Sequence, residues 1–396
     1  MEQFPIRVFD SSTKFYKESR FFRYYRSDIN LVSRIKLNIL ELYFLLINGL
    51  VELVRICLYK KLRKDKVKNI LIFRTGSIGD NVVALPSINA VRECFPNAKI
   101  TILTSTGNTS YVSFENIASP ELYDSVINYS GSTLISLRSQ LKGQYDLIIE
   151  LPQFINGIAK NLRNMIFFRI YCGISYGFGW QISNVNLFKN TQEQSILYKN
   201  EESILSSIIR KHLKINFEKV FKFKILIEDK VKVNNLLDNI LPNGSSGFNV
   251  LIIGANYQKN RWPISNFLQI ANNSYMSSSR FSIIIGSKDD KQLLDGVLLP
   301  HYINNLCGRL TIGQTTFLLS ISNEVFSNDT GPMHLASAVG VKLNTFFSCK
   351  AFPGRWFPDL SNAKIYRSFD LPCSVCFESH CSNNYCLQNI SFNSLQ

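Results

Sequence analysis

An alternation of segments restricts the fold of this chain more than any other feature. From Asn69 the apolar runs NILIFR, AKITILTS and YDLIIE each have strand length, and SINAVRECF, between the first two, has helical spacing. Buried strands separated by helices are the rhythm of parallel βαβ units. The rhythm lapses between about residues 161 and 225, where the aromatic-rich YCGISYGFGW reads as loop, and it resumes after the turn-rich LPNGSSG. There FNVLIIG, FSIIIG, EVFSN and KLNTFFS read as strands, with NFLQIANNSY, TIGQTTFLLSIS and GPMHLASAVG as the helices between them. The expected fold class is α/β, two Rossmann-like domains joined near Pro242 and facing across a cleft. In such sheets ligands gather at the carboxyl ends of the strands, so chemistry is sought in the loops that follow them.

At 396 residues the chain has room for both halves and an extension. The expected boundaries are a basic helical extension over 1–66, a first α/β domain over 67–240, a second over 241–370 and a cysteine-rich tail over 371–396. The net charge is +15, and residues 1–68 carry 15 Lys and Arg against 7 Asp and Glu, so about half the excess sits at one end. An anionic partner follows: nucleic acid, an anionic membrane or a phosphorylated substrate. Nucleic acid is not expected as a partner, because only FFRYYR interleaves basic and aromatic residues and no nucleic-acid motif is present.

The opening MEQFPIRVFDSSTK is polar and lacks the apolar core of a secretory signal, so a cytoplasmic setting is expected. Ten residues separate Glu41 from Glu52, too few to span a bilayer that needs roughly 20. Leu42, Leu45, Leu46, Gly49, Leu50 and Val54 fall near one helical face, and Lys60, Lys61, Arg63 and Lys64 follow. A basic amphipathic helix of this kind can lie on the anionic cytoplasmic face of the inner membrane, or pack on its own domain with a solvated basic end.

Three loops carry candidate chemistry. The first, Arg74 to Ser87, spaces its glycines G-x-x-G at Gly76 and Gly79, so neither the dinucleotide fingerprint nor the P-loop is present. Asp80 stands at the start of the following helix, where it serves either as a cap or as a reacting carboxylate. In SNDTGPMHLASAVG, Thr330 is a natural N-cap, Pro332 suits the first turn and Gly340 the helix end. The free N–H groups at Thr330 and Gly331 can hold a phosphate without a metal, and His334 can donate to it or be a plain core residue. In GANYQKNRWP, Gly254 permits close backbone approach and Lys259 and Arg261 supply cations. Two anion-binding loops in one half are far more specific than either alone.

Of the nine cysteines, Cys57, Cys94, Cys172, Cys307 and Cys349 stand singly in apolar contexts and read as reduced core residues. Cys373, Cys376, Cys381 and Cys386 share CSVCFESHCSNNYC, spaced for a structural zinc but close together for a zinc ribbon; reduced packing or a redox pair is the competing reading.

ILIFRTGSIGDNVVALPSINAVRECFPNAKITILTS, GANYQKNRWP and SNDTGPMHLASAVG together resemble glycosyltransferase family 9, the ADP-heptose:lipopolysaccharide heptosyltransferases, from about Asn69 to Cys386. The cysteine-rich tail also looks like one found in many members. The resemblance implies a GT-B fold, the acceptor bound by the first domain and the nucleotide-sugar by the second. It implies an inverting, metal-independent reaction needing no cofactor beyond the donor, for which ADP-heptose is favoured. By the same resemblance Asp80 is the general base, with Arg74, Thr75 and Ser77 beside the acceptor. Asp329, Thr330, Gly331 and His334 contact the donor diphosphate, with Arg261 as the basic residue before Trp-Pro and Lys259 and Gly254 nearby. The implied acceptor is lipopolysaccharide or another lipid-linked or phosphorylated saccharide. The basic extension departs from the heptosyltransferase pattern. The competing reading is a non-catalytic nucleotide-sugar-binding or membrane-associated assembly protein.

Overall fold

A computed structural model describes residues 6–10, 31–105, 112–152, 157–182, 199–242, 245–368, 371, 373, 376, 381 and 383–392. FFRYYR lies outside them. By contact the described residues fall into two units. One holds residues from 31 to 182 and 201–222; the other holds 6–10, 199–200 and everything from 223 onward.

The first unit opens with helix α1 (Leu31–Leu58) and continues through β2 (Asn69–Phe73), α2 (Ile78–Val82), α3 (Leu85–Cys94), β3 (Lys99–Thr104), β4 (Ser125–Asn128), α4 (Leu134–Leu141), β5 (Leu147–Glu150), α5 (Ile158–Ile166), β6 (Tyr176–Phe178) and α6 (Glu201–Leu213). Its five strands run in the order β4-β3-β2-β5-β6, all parallel. Ile70, Leu71, Ile72, Ile148 and Ile149 are fully buried, as expected of strands covered on both faces. Inside YCGISYGFGW the loop expectation fails: Tyr176–Phe178 is a strand, paired with β5 through Leu147↔Tyr176, and one turn of π-helix (Phe167–Tyr171) precedes it. Three residues with a central glycine are too few to show periodicity; the pairing with β5, not local propensity, makes them a strand.

The second unit contains β1 (Ile6–Phe9), α7 (Ile227–Ile240), β7 (Phe248–Ile252), α8 (Ile264–Ser278), β8 (Phe281–Ile285), β9 (Ile303–Asn305), α9 (Ile312–Ser320), β10 (Glu324–Asn328), α10 (Gly331–Ala338), β11 (Leu343–Phe347), β12 (Ala363–Ser368) and α11 (Tyr385–Gln388). Its sheet runs β1-β12-β11-β10-β7-β8-β9, parallel throughout except β1, which pairs antiparallel with β12. Segments at both ends of the chain therefore build this sheet. Trp262, stacked on Phe346 at 3.7 Å between ring centroids, anchors a core that also contains Phe267, Leu387 and Ile390.

Helix α1 divides its apolar residues between two faces. Val51 is buried, and Val54 and Leu58 pack beside it on the first unit's core. Ile35, Ile39, Leu42, Leu46, Leu50 and Leu53 are exposed on the opposite side, with Leu46 at 64%. The face read from the sequence thus splits, Val54 going inward and the leucines outward. Cys57, expected in the core, is exposed on this helix, and Cys94 is half-buried. Among the described residues no helix is long and apolar enough to cross a membrane.

Candidate active site

In each sheet the strand order reverses once, between β2 and β5 in the first unit and between β7 and β10 in the second. Loops diverge at such a switch point and leave a crevice beyond the strand ends. The three loops singled out from the sequence follow β2, β7 and β10.

After β2 the loop is built around Asp80. Its Oδ2 accepts hydrogen bonds from the Ser77 N–H at 2.8 Å and the Ser77 hydroxyl at 2.9 Å, a bond back across the first turn of α2. The Asp80 side chain keeps 17% of its exposure, and its Oδ1 lies 3.6 Å from Arg74 Nη2, beyond hydrogen-bond length. Gly76 has φ +135°, and a Cβ there would lie 2.4 Å from Asp80 side-chain atoms, so the carboxylate occupies the space a side chain would fill.

Arg74, expected beside the acceptor, is wholly buried. Its guanidinium donates to the Asp80 carbonyl at 2.6 and 3.0 Å, to the Pro152 carbonyl at 2.9 Å and to that of Leu151 at 3.2 Å; Glu201 lies 3.9 Å away. A buried guanidinium is tolerable only with such partners. Arg74 ties the loop to the end of β5 and presents no donor outward. Thr75 and Ser77 are half-buried.

Glu150, the last residue of β5, was not anticipated. It pairs in register with Phe73, is buried, and accepts from Asn164 Nδ2 at 3.1 and 3.2 Å. Burial pushes its carboxyl up to about 7 despite those bonds.

In the second unit Asn328, fully buried at the end of β10, clamps two loops: its Nδ2 donates to the Ile253 carbonyl at 2.7 Å and its Oδ1 accepts from the Trp262 N–H at 2.8 Å. Asp329 follows. Burial pushes its carboxyl up to about 7, against the pull of Lys350 and Arg367. Thr330 occupies the N-cap position of α10, but its side chain makes no capping bond, and Pro332 falls in the first turn as expected. His334 is buried, 6.0 Å from the Trp356 ring in an edge-to-face arrangement.

The loop after β7 gives its two cations different settings. Arg261, read as the principal anion contact, donates its Nε–H to the Ala255 carbonyl at 2.9 Å. Lys259 is only 3% exposed, and its ammonium has no hydrogen-bond partner among the described residues. Buried polar groups are nearly always paired, which makes Lys259 a candidate ligand contact. Lys350 lies close enough to Lys259 and Asp329 for both to act on its ammonium, whose pKa is lowered by burial first and then by Lys259. Arg367 Nη2 is likewise buried and unpartnered among the described residues. Asn260, between Lys259 and Arg261, accepts from Ser348 Oγ at 2.8 Å and is pinned in place.

A Cβ on Gly254 would lie 2.2 Å from the Asp290 carboxyl, so this loop approaches the one after β8. Asp290 Oδ2 accepts from the Ser287 N–H and hydroxyl, both at 2.8 Å. GSKDD thus repeats the device of GSIGD; the shared G-S-x-x-D spacing was the available signal for Asp290. Among the described residues no group of three His, Cys, Asp or Glu side chains is placed to hold a metal ion, the tail cysteines included.

Two α/β units, each with its loops at a switch point and one with a buried cation cluster, have the build of a protein that holds an anionic ligand. The family model for glycosyltransferase family 9 (heptosyltransferase) matches residues 134–386, a span that includes Lys259, Asp329 and His334. The chain belongs to that family and is a glycosyltransferase. It is 23% identical over 329 residues to the lipooligosaccharide heptosyltransferase 2 of Campylobacter jejuni subsp. jejuni serotype O:6, covering 79% of this chain and 92% of the relative. The glycosyltransferase family 9 structure from Veillonella parvula superposes with a TM-score of 0.64 at 16% identity, covering 85% of this chain and 96% of that one. The E. coli ADP-heptose LPS heptosyltransferase II gives 0.56 at 15%, covering 83% and 96%. The fold is that of the GT-B heptosyltransferases.

Proposed function

We propose that the chain transfers a heptose from ADP-heptose to a lipid-linked or phosphorylated saccharide in lipopolysaccharide or lipooligosaccharide assembly, with inversion and without a metal. The observation that carries this reading is the buried ammonium of Lys259, which has no hydrogen-bond partner among the described residues, beside Lys350 and the Asp329-Thr330-Gly331 turn. The named relatives supply the sugar and the nucleotide.

Asp80 removes the proton from the acceptor hydroxyl as that oxygen attacks the anomeric carbon. The bond from that carbon to the diphosphate breaks on the opposite face, which inverts the centre, and ADP departs with the bonding pair. Charge growing on the departing phosphate is met by Lys259, Lys350 and the N–H groups at the start of α10, which do the work of a Lewis acid. Asp329, with its raised pKa, is largely neutral in mildly acidic solution and repels the diphosphate less than an ordinary aspartate would. Arg74 fixes the loop on which the base sits. The domain over 67–240 holds the acceptor and that over 241–370 the donor.

The exposed face of α1 lies along the anionic cytoplasmic surface of the membrane that carries the acceptor. Exposed cations at Lys60, Lys61, Arg63, Lys64, Lys66 and Lys68 follow it. Leu46→Glu with Leu50→Glu should release the chain from vesicles containing anionic lipid; undiminished co-sedimentation excludes α1 as the contact. For the reaction, the product anomer is read by NMR after turnover of ADP-heptose with EDTA present. Retained configuration, or activity lost to EDTA and restored by a divalent ion, overturns the mechanism.

A further inference from the structure

The first unit contains a cavity of about 210 Å³ that the reaction above does not use. One wall is the inner face of α1, where Phe44, Asn48, Val51, Glu52 and Arg55 recur at helical spacing. The others come from Met165 of α5, from Gly179 to Gln181 after β6, and from Lys211 and His212 at the end of α6. Asn48 secures the α1 wall, donating to the Ile182 carbonyl at 3.3 Å and accepting from its N–H at 3.0 Å. Helix α1 is therefore an integral side of the cavity.

The lining has the chemistry of a sugar site. Trp180, Val51 and Met165 are buried and give the lining an apolar part that includes an indole. Polar groups that can exchange hydrogen bonds with hydroxyls line the rest. Glu52 is matched by Arg55, whose guanidinium reaches it at 2.9 and 3.0 Å. His212 is stacked on Phe178 at 4.8 Å, and burial lowers its pKa to about 4, so it is uncharged at neutral pH. Lys211, exposed, leaves the rim with a net positive charge. A cavity of about 210 Å³ has room for several waters and hence for one sugar ring.

Position separates this site from lipid. On the helical wheel the lining residues of α1 lie opposite the exposed Ile39, Leu42, Leu46 and Leu50, so a membrane meeting that stripe is on the far side of the helix. The cavity does open near the carboxyl end of β6, two strands from β2 and thus about 10 Å along the same sheet edge from the loop that carries Asp80.

We infer that this cavity is a second saccharide subsite, taking an acidic sugar unit of the acceptor, carboxylated or phosphorylated, while another unit lies at Asp80. The inference rests on the acceptor reading of this unit. It is tested by calorimetry on the full chain with glucuronate, glucose 6-phosphate, glucose and inorganic phosphate as probes. One acidic sugar should bind one-to-one and more tightly than glucose. Lys211→Glu should weaken it tenfold or more and Gln181→Ala about threefold, with ADP affinity unchanged in both. Three results overturn the subsite: no saturable binding of either acidic sugar, equal binding of inorganic phosphate, or binding indifferent to both substitutions. Transfer measured in parallel separates the two readings. Transfer with failed sugar binding removes the subsite alone, and sugar binding without transfer removes the acceptor role.

Discussion

Asp80 and Asp290 close their loops in the same way: each carboxylate accepts from the N–H and hydroxyl of a serine three residues earlier, tight against a glycine. Their surroundings differ. Asp80 rests on a loop tied down by a buried arginine, whereas Asp290 lies against Gly254 in the unit that carries Lys259, Lys350 and Asp329. A hydrogen-bond pattern that caps a helix therefore says little about whether the acid reacts. The charges and partners around the loop decide that.

The largest expected difference between the two acids is in turnover. Asp80→Asn keeps the acceptors for Ser77 but cannot take a proton, so kcat should fall by about 10²–10⁴ with donor affinity intact. Asp290→Asn should cost less than tenfold in kcat, and a similar collapse in both variants would show that the loops share a structural role. Next in size, Lys259→Ala removes a charge-assisted contact of about 1.5–3 kcal/mol. The Kd for an ADP-sugar, read by calorimetry, should rise roughly 10–100-fold, and the same substitution at Arg261 should do less. Gly76→Ala forces a Cβ onto the Asp80 carboxylate in a left-handed conformation, and about 1–3 kcal/mol of stability should be lost in urea unfolding.

The smallest effect is in pH. The folded-state pKa of Asp329 is raised from 3.8 to about 7, so between these values the folded chain holds a proton that the unfolded chain releases. Its contribution to stability declines as pH rises through that window and is constant above it. In the proposed donor site, ionisation also places a negative charge beside the phosphates. ADP-sugar affinity should therefore weaken between pH 6 and 8, and Asp329→Asn should flatten the profile.

The strands of both sheets were legible in the sequence because each is an uninterrupted apolar run buried on two faces. The three loops were legible through their turn residues, and each follows a strand as expected. The different settings of the two cations were not: Lys259 and Arg261 are two residues apart, and only the fold shows that Arg261 donates to a carbonyl while Lys259 is buried with no hydrogen-bond partner among the described residues. Arg74 was misplaced for a similar reason, since its carbonyl partners Leu151 and Pro152 are remote in sequence. Glu150 reads as the end of an apolar strand, and nothing local announces that burial will hold its carboxyl near 7.

The antiparallel pairing of β1 with β12 sets an order on folding during synthesis. Ile365 to Ser368 is made some 360 residues after its partner Ile6–Phe9, a delay of about 20–70 s at the usual ~5–20 residues per second. Throughout that interval the strand has no sheet to join, while the unit between residues 31 and 222 can already fold. The second sheet gains its last edge only when these two distant segments meet. Trimming the N-terminus to remove α1 would thus also expose β12 as an open edge, a site for pairing with other chains. A shortened enzyme meant to be more soluble should aggregate instead, unless Ile6–Phe9 is kept.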